Sequence, residues 1–93
     1  MLVWNLFNQG GHYVKYKSKI SWNNYSNSDV NVTIYDMLGR EIRTLVNQTQ
    51  DAGFKSVIWN ATNDYGKPVS AGVYLYQIQA GEFVQTRKMV LLK

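Results

Sequence analysis

Six short apolar runs, spaced roughly ten residues apart and separated by turn residues, occupy most of this 93-residue chain. Within them, β-branched and aromatic residues alternate with polar ones, and a period of two is typical of half-buried strands. No stretch of ten or more residues carries an apolar stripe at the helical period. The predicted strands are 13–22, 30–35, 41–47, 54–59, 71–79 and 83–92, with 3–7 as a further candidate.

Many short strands joined by Gly, Asn and Asp turns are the pattern of a sandwich. We therefore predict an all-β fold, an immunoglobulin-like antiparallel β-sandwich of about seven strands. The chain contains no cysteine, which excludes the disulfide of antibody domains. Strands 30–35 and 41–47 flank a turn at 36–39 and should form an antiparallel hairpin.

Composition supports one folded domain spanning residues 1–93, because 45% of the residues are hydrophobic and 14% are aromatic. The net charge of +4 favours acidic partners weakly unless the cations are clustered. No run approaches the ~20 apolar residues of a membrane span. Segment 1–7 lacks the basic start and small-residue cleavage site of an export signal, so none is expected here.

Catalytic groups are sparse. His12 is the only histidine, so neither a catalytic triad nor a histidine-rich metal site can be assembled. Acidic residues fall in turns and loops, and paired carboxylates need a cleft between them, which a sandwich of this size seldom has. We expect no enzymatic activity and no cofactor.

The polar loop after residue 59 has two interpretations. Its oxygen-bearing residues could form a calcium loop, but calcium takes six to eight oxygens with several carboxylates, and this loop offers one. A turn stabilised by Asx side chains is the better interpretation, and no metal is predicted. The residues concerned are Asn60, Thr62, Asn63, Asp64 and Gly66.

Lysine recurs at every second position in the first long run, at Lys15, Lys17 and Lys19, with Tyr13 at its end. Such a stripe could bind nucleic acid or an acidic cell-surface polysaccharide. A solvated face, or a charged edge that discourages strand addition, is the commoner arrangement. We predict no nucleic-acid binding.

Three aromatic residues, Trp4, Tyr25 and Tyr65, could form a sugar-stacking platform like that of a carbohydrate-binding module. Packing within the core or the loops is the alternative that we prefer.

Residues 29–93 contain a series of motifs in fixed order. They are the strand 32–36, Leu38, Gly39, Arg40, Trp59, Asn60, Asp64, Gly66, the run 70–74, and Lys88. In this order and spacing they resemble the C-terminal sorting domains of type IX secretion substrates, which share their fold with the immunoglobulin-like domain of the flagellar hook-capping protein. Residues 1–28 form a divergent N-terminal strand and loops, in which Asn5 and Phe7 remain from the usual Asn-Pro-Phe-Asn-Pro opening without either proline.

The resemblance implies a non-catalytic C-terminal sorting or cell-surface anchoring module of a larger secreted bacterial protein, located outside the cell or on its surface. Its implied partners are the outer-membrane secretion machinery and surface lipopolysaccharide. Recognition would fall on the last two strands, at Phe83, Arg87, Lys88 and Lys93. Three alternatives remain: a self-associating assembly domain like that of the hook cap, a carbohydrate-binding accessory module, and a divergent or engineered descendant of the sorting module with an unrelated function.

The residues predicted to build the turns and the core are Gly39, Trp59, Asp64, Gly66, Gly72 and Tyr74. Gly39 and Gly66 fall where turns need positive φ. Gly72 would allow a close backbone approach, with the Trp59 ring as the suggested neighbour. Trp59 and Tyr74 are large enough to hold two sheets together.

Overall fold

The computed structural model describes the backbone of Val3–Asn5, of Gly11–Val14 and of residues 17–92, and the side chains of residues 17–92. This part of the chain is all-β and contains eight strands, one more than the expected number of about seven. The strands are β1 (Val3–Asn5), β2 (Gly11–Val14), β3 (Ser18–Asn24), β4 (Ser28–Asp36), β5 (Glu41–Gln50), β6 (Gly53–Trp59), β7 (Gly72–Ala80) and β8 (Phe83–Leu91).

The strands form two sheets of unequal size. The large sheet has the order β1-β2-β8-β7-β4-β5, and the small sheet consists of β3 and β6. Neighbouring strands are antiparallel except for β2 and β8, which run parallel with Gly11 opposite Lys88 and Val14 opposite Leu91. The predicted hairpin is confirmed as β4–β5, which carries two register shifts typical of β-bulges.

The predicted single strand 13–22 is wrong, because this run contributes to two strands in different sheets. β2 joins the large sheet and β3 joins the small one. The predicted burial pattern holds within β3, where Ser18, Ile20 and Trp22 are buried and Lys19 is exposed. The period of two runs through the whole sequence segment 13–22 although its strands join different sheets, so alternation in the sequence does not show which sheet a strand joins.

The core lies between the sheets and follows the pleat of the strands. In β7 the even-numbered residues Tyr74, Tyr76, Ile78 and Ala80 are buried, as expected when alternate side chains point to one face. Burying one large apolar side chain contributes about 1.5–3 kcal/mol. The residues with less than 2% exposure are Trp59, Ile20, Ile34, Ile78, Met89, Leu91, Val30, Val32, Asn24, Thr33 and Ser18.

Candidate functional site: two matching turns at one end of the sandwich

The β4–β5 hairpin closes through a tightly bonded turn of residues 36–40. The Asp36 Oδ1 atom accepts hydrogen bonds from the backbone N–H groups of Leu38 and Arg40, both at 2.9 Å. The Gly39 N–H donates to the Asp36 carbonyl at 3.0 Å, and the Asp36 N–H donates to the Arg40 carbonyl at 3.0 Å. Gly39 has a φ of 81°, which glycine adopts without steric cost.

Arg40 adds an ion pair to this turn, with its Nε atom 2.7 Å from Asp36 Oδ2. The hydrogen bond from the Arg40 N–H, together with the Arg40 guanidinium, holds the pKa of Asp36 below its ordinary value. Asp36 is therefore ionised at neutral pH.

A second turn, residues 63–67 between β6 and β7, repeats the same bonds. The Asn63 Oδ1 atom accepts from the N–H groups of Tyr65 at 2.9 Å and Lys67 at 3.0 Å. The Gly66 N–H donates to the Asn63 carbonyl, and the Asn63 N–H donates to the Lys67 carbonyl, both at 2.9 Å. Gly66 has a φ of 78°. The turn stabilised by Asx side chains is thus confirmed in this loop.

The two turns share one sequence pattern: Asp or Asn, any residue, a large apolar residue, glycine, and a cation. The segments are Asp-Met-Leu-Gly-Arg at 36–40 and Asn-Asp-Tyr-Gly-Lys at 63–67. Both turns point their apolar third residue into solvent, with Leu38 78% exposed and Tyr65 87% exposed. Sequence reasoning identified the two glycines separately and missed this shared pattern, although the spacing alone could have shown it.

The two turns are held beside each other through β5. The Asp64 N–H donates to the Ile42 carbonyl at 3.1 Å, and the Thr44 N–H donates to Asp64 Oδ1 at 3.0 Å. In the described sheet β5 is an edge strand, with β4 on its other side. Asp64 therefore occupies backbone groups that an edge strand would otherwise offer to another chain.

Arg43 ties the same loop to β5 from a second position. Its Nη1 atom donates to the Thr62 hydroxyl at 2.6 Å and to the Asn63 carbonyl at 3.4 Å. The Thr62 hydroxyl in turn donates to Asn60 Oδ1 at 2.5 Å. The side-chain oxygens considered above as calcium ligands thus accept hydrogen bonds from the protein itself. Within the described part of the chain, no cluster of three His, Asp or Glu side chains could hold a metal ion.

Trp59 and Tyr74 support the turns from the core. Their rings meet edge to face, with centroids 5.4 Å apart and an interplanar angle of 65°. The Trp59 Nε1–H donates to the Thr62 carbonyl at 2.8 Å, and the Tyr74 hydroxyl donates to the Ser70 carbonyl at 2.6 Å. Burial, followed by the nearby Asp36 charge, raises the pKa of Tyr74, so this hydroxyl keeps its proton.

The backbone at Gly72 does not make the close approach to the Trp59 ring that the sequence suggested. A Cβ atom built on Gly72 would have no heavy atom within 4 Å beyond its neighbours in the chain, so the Trp59 ring is not the reason for glycine here. Its φ of 150° supplies the reason, because side-chain-bearing residues rarely adopt that value.

Residues 8–82, most of the chain, match the FlgD Ig-like domain. The chain belongs to this family. The match includes part of segment 1–28 as well as the two turns, and it supports the predicted immunoglobulin-like fold. FlgD Ig-like domains are a structural, non-catalytic kind of domain. No curated protein matches the chain.

Two solved structures have a similar fold. FlgD from P. aeruginosa is 24% identical with a TM-score of 0.62, and the match covers 77% of this chain and 58% of the FlgD chain. Dimeric latent PorU from Porphyromonas gingivalis is 20% identical with a TM-score of 0.63, covering 97% of this chain and 9% of the PorU chain. This FlgD Ig-like domain thus spans little more than half of FlgD and a small part of PorU. At these identities the likeness concerns the fold.

The residues expected to be recognised during secretion do not share one face of β8. Phe83 and Arg87 are exposed on the side that carries the buried Met89, whereas the exposed Lys88 lies on the opposite side. Phe83 is 36% exposed and meets the Tyr25 ring at 6.4 Å. Lys93 lies outside the described residues.

The structure does not assemble the suggested sugar-stacking platform of Trp4, Tyr25 and Tyr65. Tyr25 follows Asn24, which pairs with Gly53 at the start of β6. Tyr65 comes after Trp59 at the end of β6, so the two rings lie at opposite ends of a strand about 20 Å long. The Trp4 side chain lies outside the described residues. Nor does the described part contain a helix long and apolar enough to cross a bilayer.

Proposed function

We propose that this FlgD Ig-like domain is a non-catalytic C-terminal sorting and surface-anchoring module of a larger secreted bacterial protein. One observation carries the proposal: the fold match to PorU covers 97% of this chain but 9% of PorU. Nearly all of this chain thus corresponds to a small part of a much larger protein. The motifs in residues 29–93 that resemble type IX sorting domains support the same role.

The exposed part of β8 offers a surface on which a secretion machine could act. Residues 83–87 pair with β7, while β2 pairs with β8 at residues 88–91. Arg87 and Lys88 are exposed and point to opposite faces. Recognition would therefore involve this end of the strand rather than one flat face, with the outer-membrane secretion machinery as the partner.

The test is export of a reporter fused upstream of the complete chain in a bacterium with a type IX secretion system. The fusion should appear outside the cell, and an Arg87→Glu/Lys88→Glu variant should stay in the periplasm. Lys17→Glu/Lys19→Glu is the matched control, because it makes the same charge change on two exposed residues at the beginning of β3, one directly before the strand and one within it. Undiminished export of the β8 variant would refute recognition at this site.

Deleting residues 83–93 gives a coarser test, because it also removes the buried Met89 and Leu91. Loss of export after this deletion could result from unfolding. The deletion is therefore interpreted only together with the results for the charge variants. Export of the reporter without the FlgD Ig-like domain would refute the sorting role altogether.

Self-association in an assembly is a second candidate function, favoured by the exposed apolar tips of the two turns. Met37 is 62% exposed, and Leu38 and Tyr65 are exposed still more. Light scattering over a wide concentration range should then show a mass that rises with concentration and falls in Leu38→Ser/Tyr65→Ser. A constant monomer mass would refute this candidate.

A further inference from the structure

The outer face of the small sheet combines cations, hydroxyl groups and apolar side chains. Its three cross-strand pairs are Lys19 with Ile58, Ser21 with Ser56, and Asn23 with Phe54. On β3 these residues alternate with buried ones, and on β6 they alternate with the half-buried Lys55 and Val57, so they share the face that turns away from the core. We call this surface, together with Lys17, the outer β3–β6 face.

Two of these side chains project strongly into solvent, since Phe54 is 81% exposed and Ile58 is 54% exposed. They are four residues apart on one strand, which separates them by about 13 Å. The small Ser56 side chain lies between them, with Ser21 opposite. The surface therefore presents two exposed apolar side chains with hydroxyl groups between them.

Positive charge on the outer β3–β6 face is not balanced by acidic side chains of the same strands. Lys17 and Lys19 are exposed, and neither forms an ion pair with a described acidic residue. Their side chains repeat at about 7 Å along the strand. None of the acidic residues of the chain lies in β3 or β6; they are Asp29, Asp36, Glu41, Asp51, Asp64 and Glu82.

The side chains of the outer β3–β6 face limit the class of ligand that it could bind. Nucleic acid binds to several aromatic platforms beside a basic groove, and Phe54 is the one aromatic side chain on this face among the described residues. A lipid surface needs a continuous apolar patch, which the two serines interrupt. A hydroxylated polyanion fits each component: its acid groups match the lysines, its hydroxyls match Ser21 and Ser56, and the apolar face of a sugar ring matches Phe54.

We infer that the outer β3–β6 face is a binding site for an acidic polysaccharide, with Lys17 and Lys19 binding its carboxylate or sulfate groups and Phe54 stacking on a sugar ring. This site is separate from β8, so it does not depend on the proposed recognition by a secretion machine. Binding of the polysaccharide would hold the protein to an acidic surface by a contact that the sorting role does not require.

The test measures binding of the purified chain to polygalacturonate at low ionic strength by titration calorimetry. Fully methyl-esterified polygalacturonate has the same backbone without the charges and should bind at least about tenfold more weakly. Lys17→Glu/Lys19→Glu should lose about tenfold in affinity for the acidic polymer. Phe54→Ser should lose about threefold to tenfold.

Matched controls separate the site from the general charge of the protein. Lys67→Glu makes the same charge change as Lys19→Glu on an exposed residue elsewhere, and Tyr65→Ser removes an exposed aromatic ring from a loop. Both should bind like the unaltered chain. Circular dichroism confirms that each variant is folded, and Lys17→Gln/Lys19→Gln replaces the charge-reversal variant if that one is not.

Several outcomes would overturn the inference. Equal losses in Lys19→Glu and Lys67→Glu would show that net charge alone determines binding. Equal affinity for the acidic and the esterified polymer, or no binding to either, would exclude an acidic polysaccharide. Tighter binding to an oligothymidylate or to phosphatidylglycerol vesicles would assign the face to nucleic acid or to lipid instead.

Discussion

Replacing Asp64 with alanine tests whether this side chain stabilises the protein by covering the edge of β5. The substitution removes the acceptor of the Thr44 N–H, which lies 3.0 Å from Asp64 Oδ1. Asp64 is exposed, so water can reach the released N–H group and no buried polar group is left unpaired. The expected loss is that of one solvent-accessible hydrogen bond, about 1 kcal/mol.

For a domain of this size, a loss of about 1 kcal/mol lowers the melting temperature by about 4–8 °C. Asp64→Asn keeps an oxygen at the same position and should lose less than the alanine variant. Asp51→Ala is the matched control, because Asp51 is also an exposed loop aspartate. It should melt close to the unaltered chain.

Calorimetry measures the melting temperatures, and amide hydrogen exchange measures protection of the Thr44 N–H. In Asp64→Ala this N–H should exchange faster, and light scattering should detect more association through the uncovered edge. The reasoning is refuted if the Thr44 N–H keeps its protection, or if Asp64→Ala and Asp51→Ala melt at the same temperature.

Three further predictions concern the turns and their support. The pKa of Asp36 is lowered in the folded protein, so its stabilising effect is present above the ordinary carboxyl pKa and is lost as pH falls through the lowered value. Urea unfolding between neutral and acid pH should therefore show a smaller loss of stability in Asp36→Asn than in the unaltered chain. An identical pH dependence of the two proteins would contradict this prediction. Gly66→Ala forces alanine into a φ of 78° and should cost about 1–2 kcal/mol in urea unfolding, whereas an unchanged midpoint would mean that the turn rearranges freely. Trp59→Phe loses the bond to the Thr62 carbonyl and should cost about 1–3 kcal/mol in the same assay; full stability would show that this bond contributes nothing.

Alternation and turn chemistry predicted most of the strands from the sequence. Strands β4, β6, β7 and β8 lie within a few residues of the predicted ranges, because each combines a buried face with turn residues at its ends. β5 continues to Gln50, beyond the predicted end at residue 47. Its last residues are polar, and their strand conformation comes from pairing with β4 rather than from their own preference.

The crossover between sheets could not be predicted from alternation. A side chain in the core looks the same in sequence whichever sheet carries it, so β2 and β3 appeared as one strand. The parallel pairing of Gly11–Val14 with residues 88–91 joins the two ends of the sequence, and no local pattern predicts so distant a partner.

The candidate site was predictable in its parts and not in its arrangement. Gly39 and Gly66 fell on the two turns, and the polar loop was expected to be held by Asx side chains. The contacts of Asp64 with Ile42 and Thr44 depend on how the loop lies against β5. The outer β3–β6 face likewise depends on the register that places Lys19 opposite Ile58.

The parallel pairing of β2 with β8 determines how the domain would respond to mechanical tension. A pull on the N-terminal side of Gly11 and on the C-terminal side of Leu91 would draw the two strands past each other along their length. The hydrogen bonds between Gly11–Val14 and residues 88–91 would then be loaded together, in shear, instead of opening one after another like a zipper. A module that links a cargo to a fixed surface would gain resistance to extension from this geometry.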